Sequence, residues 1–287
     1  MLLRSDADSA GGGGHACRRG RSCASIGGPR FRLGRGRKRR AVAVWAVMRV
    51  DALARGLWRW TAEHTDVPGG RNEVVGCVYC EPPPDRFDRL VLIDPLVPRE
   101  PRDAARFWDA LDRDVDRLAL PVSVLVGNRL HRRSALVVAD RYRERHGADV
   151  RAHDDIAGRP GFESARGFRH REPLPAGIEP WAIDGFGGGE TAFHIPHHDA
   201  LVVARCVIGA GASRVRLAPA GRTEIARSGD CPFRDSIARL LDLSFERLLP
   251  SLGAPVLRNG RGALREAMES GPASAASATS GGPRGGP

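Results

Sequence analysis

The chain has 287 residues, 41% of them hydrophobic, which is enough to fill the core of one large domain or two small ones. Its formal net charge is +11, but residues 1–47 hold eleven Lys or Arg and only two Asp, a net +9, which leaves +2 for residues 48–287. This distribution excludes from the second segment the broad basic surface of a nucleic-acid-binding domain. No apolar run approaches the roughly 20 residues of a membrane span, so we expect no membrane partner. The basic and apolar residues 37–48 resemble a signal peptide, but a long segment precedes them and Arg49 and Asp51 interrupt the apolar stretch, so we expect a cytoplasmic protein.

The first 47 residues are rich in Gly and Arg and have no aliphatic period, so we expect them to be disordered. Two interpretations stay open for them. They form a basic arm for nucleic acid or acidic lipid, or an extension ahead of a true start at Met48, where organised sequence begins. Lys38 is the only lysine, and such use of arginine is typical of GC-rich, bacterial-style coding. Residues 271–287 are also expected to be disordered, so the predicted domain spans residues 48–270.

The first half of this domain begins with strands and then alternates strands with helices. Pro, Gly and Asp bound the strands, and apolar residues three and four apart, such as Trp108, Leu111 and Val115, indicate a helix. Gly147 ends a second helix. The predicted strands are Leu53–Thr65, Glu73–Cys80, Arg89–Ile93, Val122–Val126 and Asp149–His153, and the predicted helices are Arg102–Leu118 and Arg133–His146.

The second half contains two strands, Thr191–Ile195 and Ala200–Ile208, joined by a Pro196–Asp199 turn. Two helices follow, Phe233–Leu249 and Gly260–Glu269. This order of elements predicts an α/β protein in which two sheets pack together with helices outside, a four-layer α/β/β/α sandwich.

Several fragments in this order resemble the metallo-β-lactamase superfamily. The strand end Leu-Val-Leu-Ile-Asp-Pro, which contains Asp94, is similar to the family's "LIDxG" strand end. The pair formed by Phe193–Pro196 and Ala200–Arg205 resembles its hairpin, whose second strand normally ends "FTGD", and Ser251–Leu257 resembles its final "SHG" loop. The resemblance covers residues 50–270 and implies a metallo-β-lactamase-like fold.

The resemblance also implies a two-zinc centre, in which an H-x-H-x-D-H loop, two further His and a bridging Asp hold the ions and a bound hydroxide. The corresponding loop here places Arg129 and His131 on the first two His, Arg133 on the Asp and Ser134 on the third His. The remaining three positions fall on Phe186, Arg205 and Leu252. One ligand of seven survives, and arginine cannot ligate a metal because it stays protonated.

We therefore expect a degenerate member of the superfamily that lacks two-zinc hydrolase activity, needs no cofactor and binds a small anion such as a phosphate or carboxylate. Whether it is an enzyme stays open; an active one would be a metal-dependent hydrolase. The residues expected to line the former metal cleft are Asp94, Arg129, His131, Arg133, Ser134 and Arg205.

The alternative is a metallohydrolase with a rearranged single-zinc site that uses His131 and members of the group His194, His197 and His198, with Asp94 or Asp184 nearby. Against it, the Pro196–Asp199 turn is expected at the tip of the hairpin, away from the cleft. The sequence does not fix the oligomeric state.

The cysteines are too few for a disulfide scaffold. Cys77 and Cys80 form a C-x-x-C, but positions three apart on a strand point to opposite faces, which favours two ordinary buried cysteines over a zinc or redox pair. Cys206 is likewise interpreted as a buried strand residue rather than a nucleophile beside His131.

Overall fold

The computed structural model describes residues 48–64, 73–218 and 231–270. The predicted extensions 1–47 and 271–287 lie outside these ranges, so the domain boundaries remain a prediction. Within the described ranges, no helix is both long and apolar enough to cross a membrane.

The first sheet has seven strands whose spatial order follows their order in the chain. Its strands are β1 Arg49–Ala54, β2 Leu57–His64, β3 Glu73–Cys80, β4 Leu90–Ile93, β5 Val122–Val126, β6 Asp149–His153 and β7 Arg166–Phe168. The pairs from β1 to β4 are antiparallel, and those from β4 to β7 are parallel. Helices α1 Pro101–Leu118 and α2 Ala135–His146 form the crossovers from β4 to β5 and from β5 to β6. Because parallel strands end at the same edge, the loops after β4 and β5 emerge side by side.

The second sheet holds four strands in the order β13-β10-β9-β8, with β10 and β13 parallel and the other pairs antiparallel. A two-stranded ribbon, β11–β12, and two helices accompany it. The bounds are β8 Glu179–Ala182, β9 Thr191–Ile195, β10 Ala200–Val203, β11 Val207–Gly211, β12 Arg214–Leu217, α3 Cys231–Leu240, β13 Arg247–Pro250 and α4 Gly260–Glu269.

Three apolar layers separate these elements, and the alternation of side chains along each strand assigns them. On β4, Leu90 and Leu92 face a core shared with α1 and α2, whereas Val91 and Ile93 face a core shared with the second sheet. The outer face of the second sheet packs against α3 and α4 in a third core. The predicted four-layer α/β/β/α sandwich is therefore confirmed.

The long elements match their prediction. Helix α1 begins because the Glu100 side chain accepts a hydrogen bond from the Asp103 amide at 2.8 Å and Pro101 occupies the first turn. Helix α2 begins two residues later than predicted, since Arg133 adopts a left-handed φ of 36° that no helix can include.

Three predicted segments were wrong in extent. The strand predicted at Leu53–Thr65 is two strands that turn at Gly56, whose φ is 78°. The strand predicted at Ala200–Ile208 is divided between β10 and β11, and the helix predicted at Phe233–Leu249 ends at Leu240 and is followed by β13. The short strands β7, β8 and β12 had no clear signal in the sequence.

A buried arginine ties the first sheet to the chain after β13. Arg59 of β2 is only 4% exposed and lies across Gly76 of β3, and its Nη2 donates to the Gly253 carbonyl oxygen at 3.0 Å. A Cβ atom at position 76 would collide with this guanidinium group. The glycine is therefore required for the arginine to cross the sheet.

Candidate functional site

Asp94 and His131 form a buried pair at the carboxyl edge of the parallel strands. Asp94 directly follows β4, and His131 ends a 3-10 turn, Arg129–His131, that follows β5. The Nδ1 atom of His131 lies 2.7 Å from Oδ2 of Asp94, and both side chains are almost fully buried. The other carboxylate oxygen accepts a hydrogen bond from the Gly127 amide at 2.8 Å. Two neighbouring strand ends thus fix the pair.

Only one member of the pair, Asp94, is charged at neutral pH. Burial and the nearby Arg133 lower the pKa of His131 to about 4, although Asp94 acts in the opposite direction. Burial raises the pKa of Asp94, but its interactions with His131 and Arg133 outweigh this and keep its pKa below the usual range. At neutral pH the imidazole is therefore neutral, and its Nδ1–H donates to an ionised Asp94. Its Nε2 is then a bare acceptor, which is buried and has no partner.

Two arginines flank this imidazole. Arg133 is half-buried and donates from Nη1 to the Asp94 carbonyl oxygen at 3.1 Å and from Nη2 to Ser251 Oγ at 2.8 Å. Arg205, which follows β10, is also half-buried, and its charge also lowers the pKa of His131. The Nε atoms of both arginines are buried without a hydrogen-bond partner. Unused polar atoms of three side chains therefore lie in one region.

Glu190 holds the loops around this region. One of its carboxylate oxygens accepts from the Arg205 and Cys206 amides, both at 2.7 Å, and the other accepts from Asn128 Nδ2 at 2.8 Å. Asn128 in turn caps the 3-10 turn that carries His131. Despite these hydrogen bonds, burial raises the pKa of Glu190 to about 7. Glu190 was not predicted from the sequence, because a single carboxylate before a strand has no distinguishing pattern.

The other residues predicted for the cleft have different surroundings. Ser134 Oγ accepts from the Val97 amide at 2.9 Å and so connects the start of α2 to the chain after β4. Arg129 is exposed, and its side chain lies against Gly188. Phe186 is buried in the core between the second sheet and its helices, 5.5 Å from Phe233 between ring centroids.

The four histidines of the single-zinc alternative do not converge. His194 lies between Ser244, whose carbonyl oxygen is 3.0 Å from Nε2, and Glu179. His197 and His198 follow β9 at the Ile195 end of the hairpin, whereas the Thr191 end contacts Gly127 beside the cleft. His131 therefore lies at one end of the sandwich and His197 and His198 at the other, so the structure does not bring these histidines together at one point. The expectation that the turn lies away from the cleft is confirmed.

A different cluster forms at that turn. Within the described ranges, one group of three His, Cys, Asp or Glu has all its ligand atoms within 4.8 Å of one another, and it consists of Cys80, His197 and His198. Cys77 and Cys80 do diverge as predicted, since they belong to different cores. This cluster was not predicted from the sequence, because Cys80 and His197 are 117 residues apart in the chain.

Cys206 is fully buried, and burial raises the pKa of its thiol well above the usual value. This agrees with a packed thiol rather than an ionised nucleophile, although Cys206 lies between β10 and β11 and not within a strand.

Comparison with known proteins identifies the fold. No family model and no curated protein matches the sequence. Solved structures do match. The metallo-β-lactamase from Hirschia baltica has 15% identity and a TM-score of 0.54, over 77% of this chain and 96% of its own. The enzyme from Pontibacter korlensis has 15% identity and a TM-score of 0.54, over 77% and 99%. The mono-zinc form of FIM-1 from Pseudomonas aeruginosa has 13% identity and a TM-score of 0.52, over 79% and 96%.

Identities at this level show the fold and nothing finer. This chain has the metallo-β-lactamase fold, and the resemblance inferred from its sequence fragments is confirmed at that level. What its cleft does must be argued from its own residues.

Proposed function

We propose that this protein binds a small oxyanion in the cleft at the carboxyl edge of β4 and β5, and that it lacks two-zinc hydrolase activity. The observation that carries the proposal is the set of buried, unpartnered nitrogens: Nε of Arg133, Nε of Arg205 and Nε2 of His131. Buried polar atoms are nearly always paired, so their lack of partners indicates a group that binds there. Two arginines nearby favour a negatively charged one.

The side chains of the cleft do not fit a pair of zinc ions. Zinc is held by imidazole, thiolate or carboxylate groups, and His131 offers a single free atom. Both carboxylate oxygens of Asp94 and of Glu190 already accept hydrogen bonds. Two permanent positive charges beside His131 would repel a divalent cation.

The hydrogen-bonding character of His131 narrows the chemistry of the ligand. Guanidinium groups donate hydrogen bonds to anionic oxygens, whereas the unprotonated Nε2 of a neutral imidazole accepts a hydrogen bond and so needs a donor on the ligand. A ligand that satisfies all three carries both negative oxygens and an O–H group, as monohydrogen phosphate does. With a pKa of about 4, His131 is a weak proton acceptor, which favours hydrogen bonding over proton abstraction and so binding over catalysis.

Calorimetric titration with inorganic phosphate and with sulfate, at about pH 8, tests this proposal. The two anions have similar shape, but only monohydrogen phosphate can donate to His131, so we expect phosphate to bind about tenfold more tightly. Arg205→Gln should weaken phosphate binding by at least about tenfold. Arg143→Gln, at an exposed arginine of α2, is the matched control and should change nothing. Phosphate that does not bind, or that binds Arg205→Gln equally well, contradicts the proposal.

One observation favours the single-metal hydrolase as a second candidate. Zinc-ligating histidines typically donate their other ring nitrogen to a carboxylate, as His131 does to Asp94. The test is the zinc content of the His131→Asn variant after equilibration with trace zinc. If the parent holds an ion that this variant loses, the cleft is a metal site; if the content is unchanged, the second candidate is eliminated.

A further inference from the structure

We infer that Cys80, His197 and His198 bind one divalent cation of the zinc class at the end of the sandwich opposite to the cleft. This site is independent of the proposed anion site. It uses no residue of the Asp94–His131 pair, and it connects the two sheets rather than the loops of one edge.

The three residues come together from different sheets. Cys80 is the last residue of β3 and pairs with Val91 near the start of β4, whereas the cleft follows the end of β4. His197 and His198 lie in the 3-10 turn between β9 and β10 of the second sheet. A metal ion held by all three would therefore link the sheets across the layer of apolar residues between them.

The distances suit a tetrahedral ion. Bond lengths of about 2.3 Å to sulfur and 2.0 Å to nitrogen place the two donor atoms about 3.5 Å apart around tetrahedral zinc. Cys80 Sγ lies 3.8 Å from Nε2 of His197. The two imidazole rings are in contact, with their centroids 4.2 Å apart. Small side-chain movements are enough to bring all three donors to one ion.

An unpartnered atom points to a ligand here. Nε2 of His198 is buried and makes no hydrogen bond. Its surroundings are otherwise well determined, because the carbonyl oxygen of His198 accepts from Arg247 at 2.8 Å and Asp199 closes the turn with a left-handed φ of 45°. The fold thus holds an imidazole with an unpartnered nitrogen beside a thiol and a second imidazole.

The Glu81 carbonyl oxygen accepts the hydrogen bonds that Cys80 and His197 would give up on binding a metal. It lies 3.4 Å from Cys80 Sγ and 3.2 Å from Nε2 of His197, so both groups donate to it when no metal is bound. Binding would transfer the thiol proton to solvent and form a metal–thiolate bond, while the hydrogen of His197 moves to its Nδ1. The Glu81 carbonyl oxygen or a water molecule would complete the fourth position.

The burial pattern favours a structural role. Cys80 is fully buried, whereas His197 is exposed. An ion would therefore enter from the solvent beside the histidines and bind the buried thiol from that side. An ion that needs all three residues, of which Cys80 and His197 are 117 positions apart in the chain, binds the folded chain and not the unfolded one, and so stabilises the fold by mass action.

The test is a titration of the full chain with Co²⁺, read by the thiolate-to-metal charge-transfer absorption, with metal content per chain and thermal unfolding measured in parallel. We expect one ion and one released proton per chain, and a midpoint temperature that rises with metal. Cys80→Ser should abolish the absorption band. Cys77→Ser is the matched control, since it changes a buried cysteine of the same strand that faces another core.

Cys80→Ser changes a fully buried residue, so a second variant separates loss of the metal from disturbance of the core. His197→Asn changes an exposed side chain and should fold normally, yet weaken Co²⁺ binding by at least about 100-fold, more than typical losses from outer-shell changes. A band that persists in Cys80→Ser, a Co²⁺ affinity of His197→Asn equal to that of the parent, or a parent chain without a band overturns the inference. An ion that is lost in His131→Asn and retained in His197→Asn also overturns it and moves the metal to the cleft.

Discussion

At the scale of single residues, the cleft contains two buried ionisable groups, His131 and Glu190, whose pKa values are shifted in opposite directions. Burial favours the neutral form of each, so it lowers the pKa of His131 to about 4 and raises that of Glu190 to about 7. Between about pH 4.5 and 6.5 the unfolded chain would protonate the histidine and ionise the glutamate, whereas the folded chain does neither.

These shifts have opposite effects on stability. His131 binds more protons when unfolded, so its contribution falls as pH drops from 6.5 to 4. Glu190 binds more protons when folded, so its contribution falls as pH rises from 4.5 to 7. Each effect amounts to at most about 3 kcal/mol in the free energy of unfolding, because a shift of one pKa unit corresponds to about 1.4 kcal/mol. In the parent chain the two largely cancel.

Two isosteric variants should each reveal the pH-dependent contribution of the other residue to the free energy of unfolding. In His131→Asn, which keeps a donor toward Asp94, the free energy of unfolding should fall as pH rises from about 4.5 to 7. In Glu190→Gln, which keeps an acceptor for the Arg205 and Cys206 amides, it should rise over about pH 4 to 6.5. Urea unfolding across this pH range, in buffer that contains a metal chelator, measures how the free energy of unfolding changes with pH in both variants. Each variant is the control for the other. Slopes of the same sign in both would contradict the assigned pKa shifts.

The same residues show how far sequence alone could reach. Asp94 and His131 were predicted to share a cleft because each follows a strand and matches a motif fragment. Glu190 and Cys80 were not, because their roles depend on partners that only the folded chain supplies: backbone amides for Glu190, and a turn 117 residues away for Cys80.

At the scale of elements, Ser251 joins three pieces of the fold beside the cleft. It follows β13, its Oγ accepts from Arg133 at 2.8 Å, and its backbone carbonyl oxygen accepts from the Gly76 amide of β3 at 2.7 Å. Its hydroxyl lies within 3.3 Å of the Gly76 carbonyl oxygen. One small side chain therefore positions a charged group between two sheets.

Removing this hydroxyl should destabilise the fold. Ser251→Ala leaves a half-buried guanidinium group without one acceptor, so we expect the free energy of unfolding to fall by about 1–3 kcal/mol. Ser270→Ala, at an exposed serine that bonds only within its own helix end, should stay within about 0.5 kcal/mol. Chemical denaturation of both variants decides the matter. Equal stability of the two would show that Arg133 finds another acceptor.

Elements with a long, regular pattern were predictable, and short or interrupted ones were not. The strand predicted through Ala200–Ile208 breaks because Glu190 takes the amides of Arg205 and Cys206 away from the ladder. The helix predicted through Phe233–Leu249 fails because its last apolar residues fit a four-residue strand equally well, and pairing of β13 with β10 decides between them. Strand β8 contains Pro180, which is tolerated because β8 lies at the edge of its sheet. In the sequence, the same proline argues against a strand.

At the scale of the whole molecule, the net charge is unevenly distributed along the chain. Residues 1–47 carry +9 of the net charge of +11, and among the described residues the three apolar cores extend from Met48 to Met268. We propose from this that residues 48–270 fold alone and that any attraction to polyanions resides in the first segment.

A chain shortened to residues 48–270 tests this separation. Its new terminal amine retains the Met48 nitrogen that donates to Asp103 Oδ2 at 2.9 Å, so its unfolding midpoint should stay within about 2 °C of the parent. Its phosphate affinity should be unchanged. Retention on heparin, which falls steeply with salt for basic segments, should be lost. Retention by the shortened chain would assign the polyanion surface to the folded domain.

The crossing of Arg59 over Gly76 has a consequence for how this sequence can change over generations. A larger residue at position 76 would displace the buried Arg59 guanidinium group from its hydrogen bond to Gly253, so it fits best in a chain that has already exchanged Arg59 for a shorter side chain. A chain that loses the arginine first and the glycine later avoids this clash, whereas a chain that replaces the glycine first does not. Descendants of this protein should therefore vary at the two positions together, with residue 59 changing first.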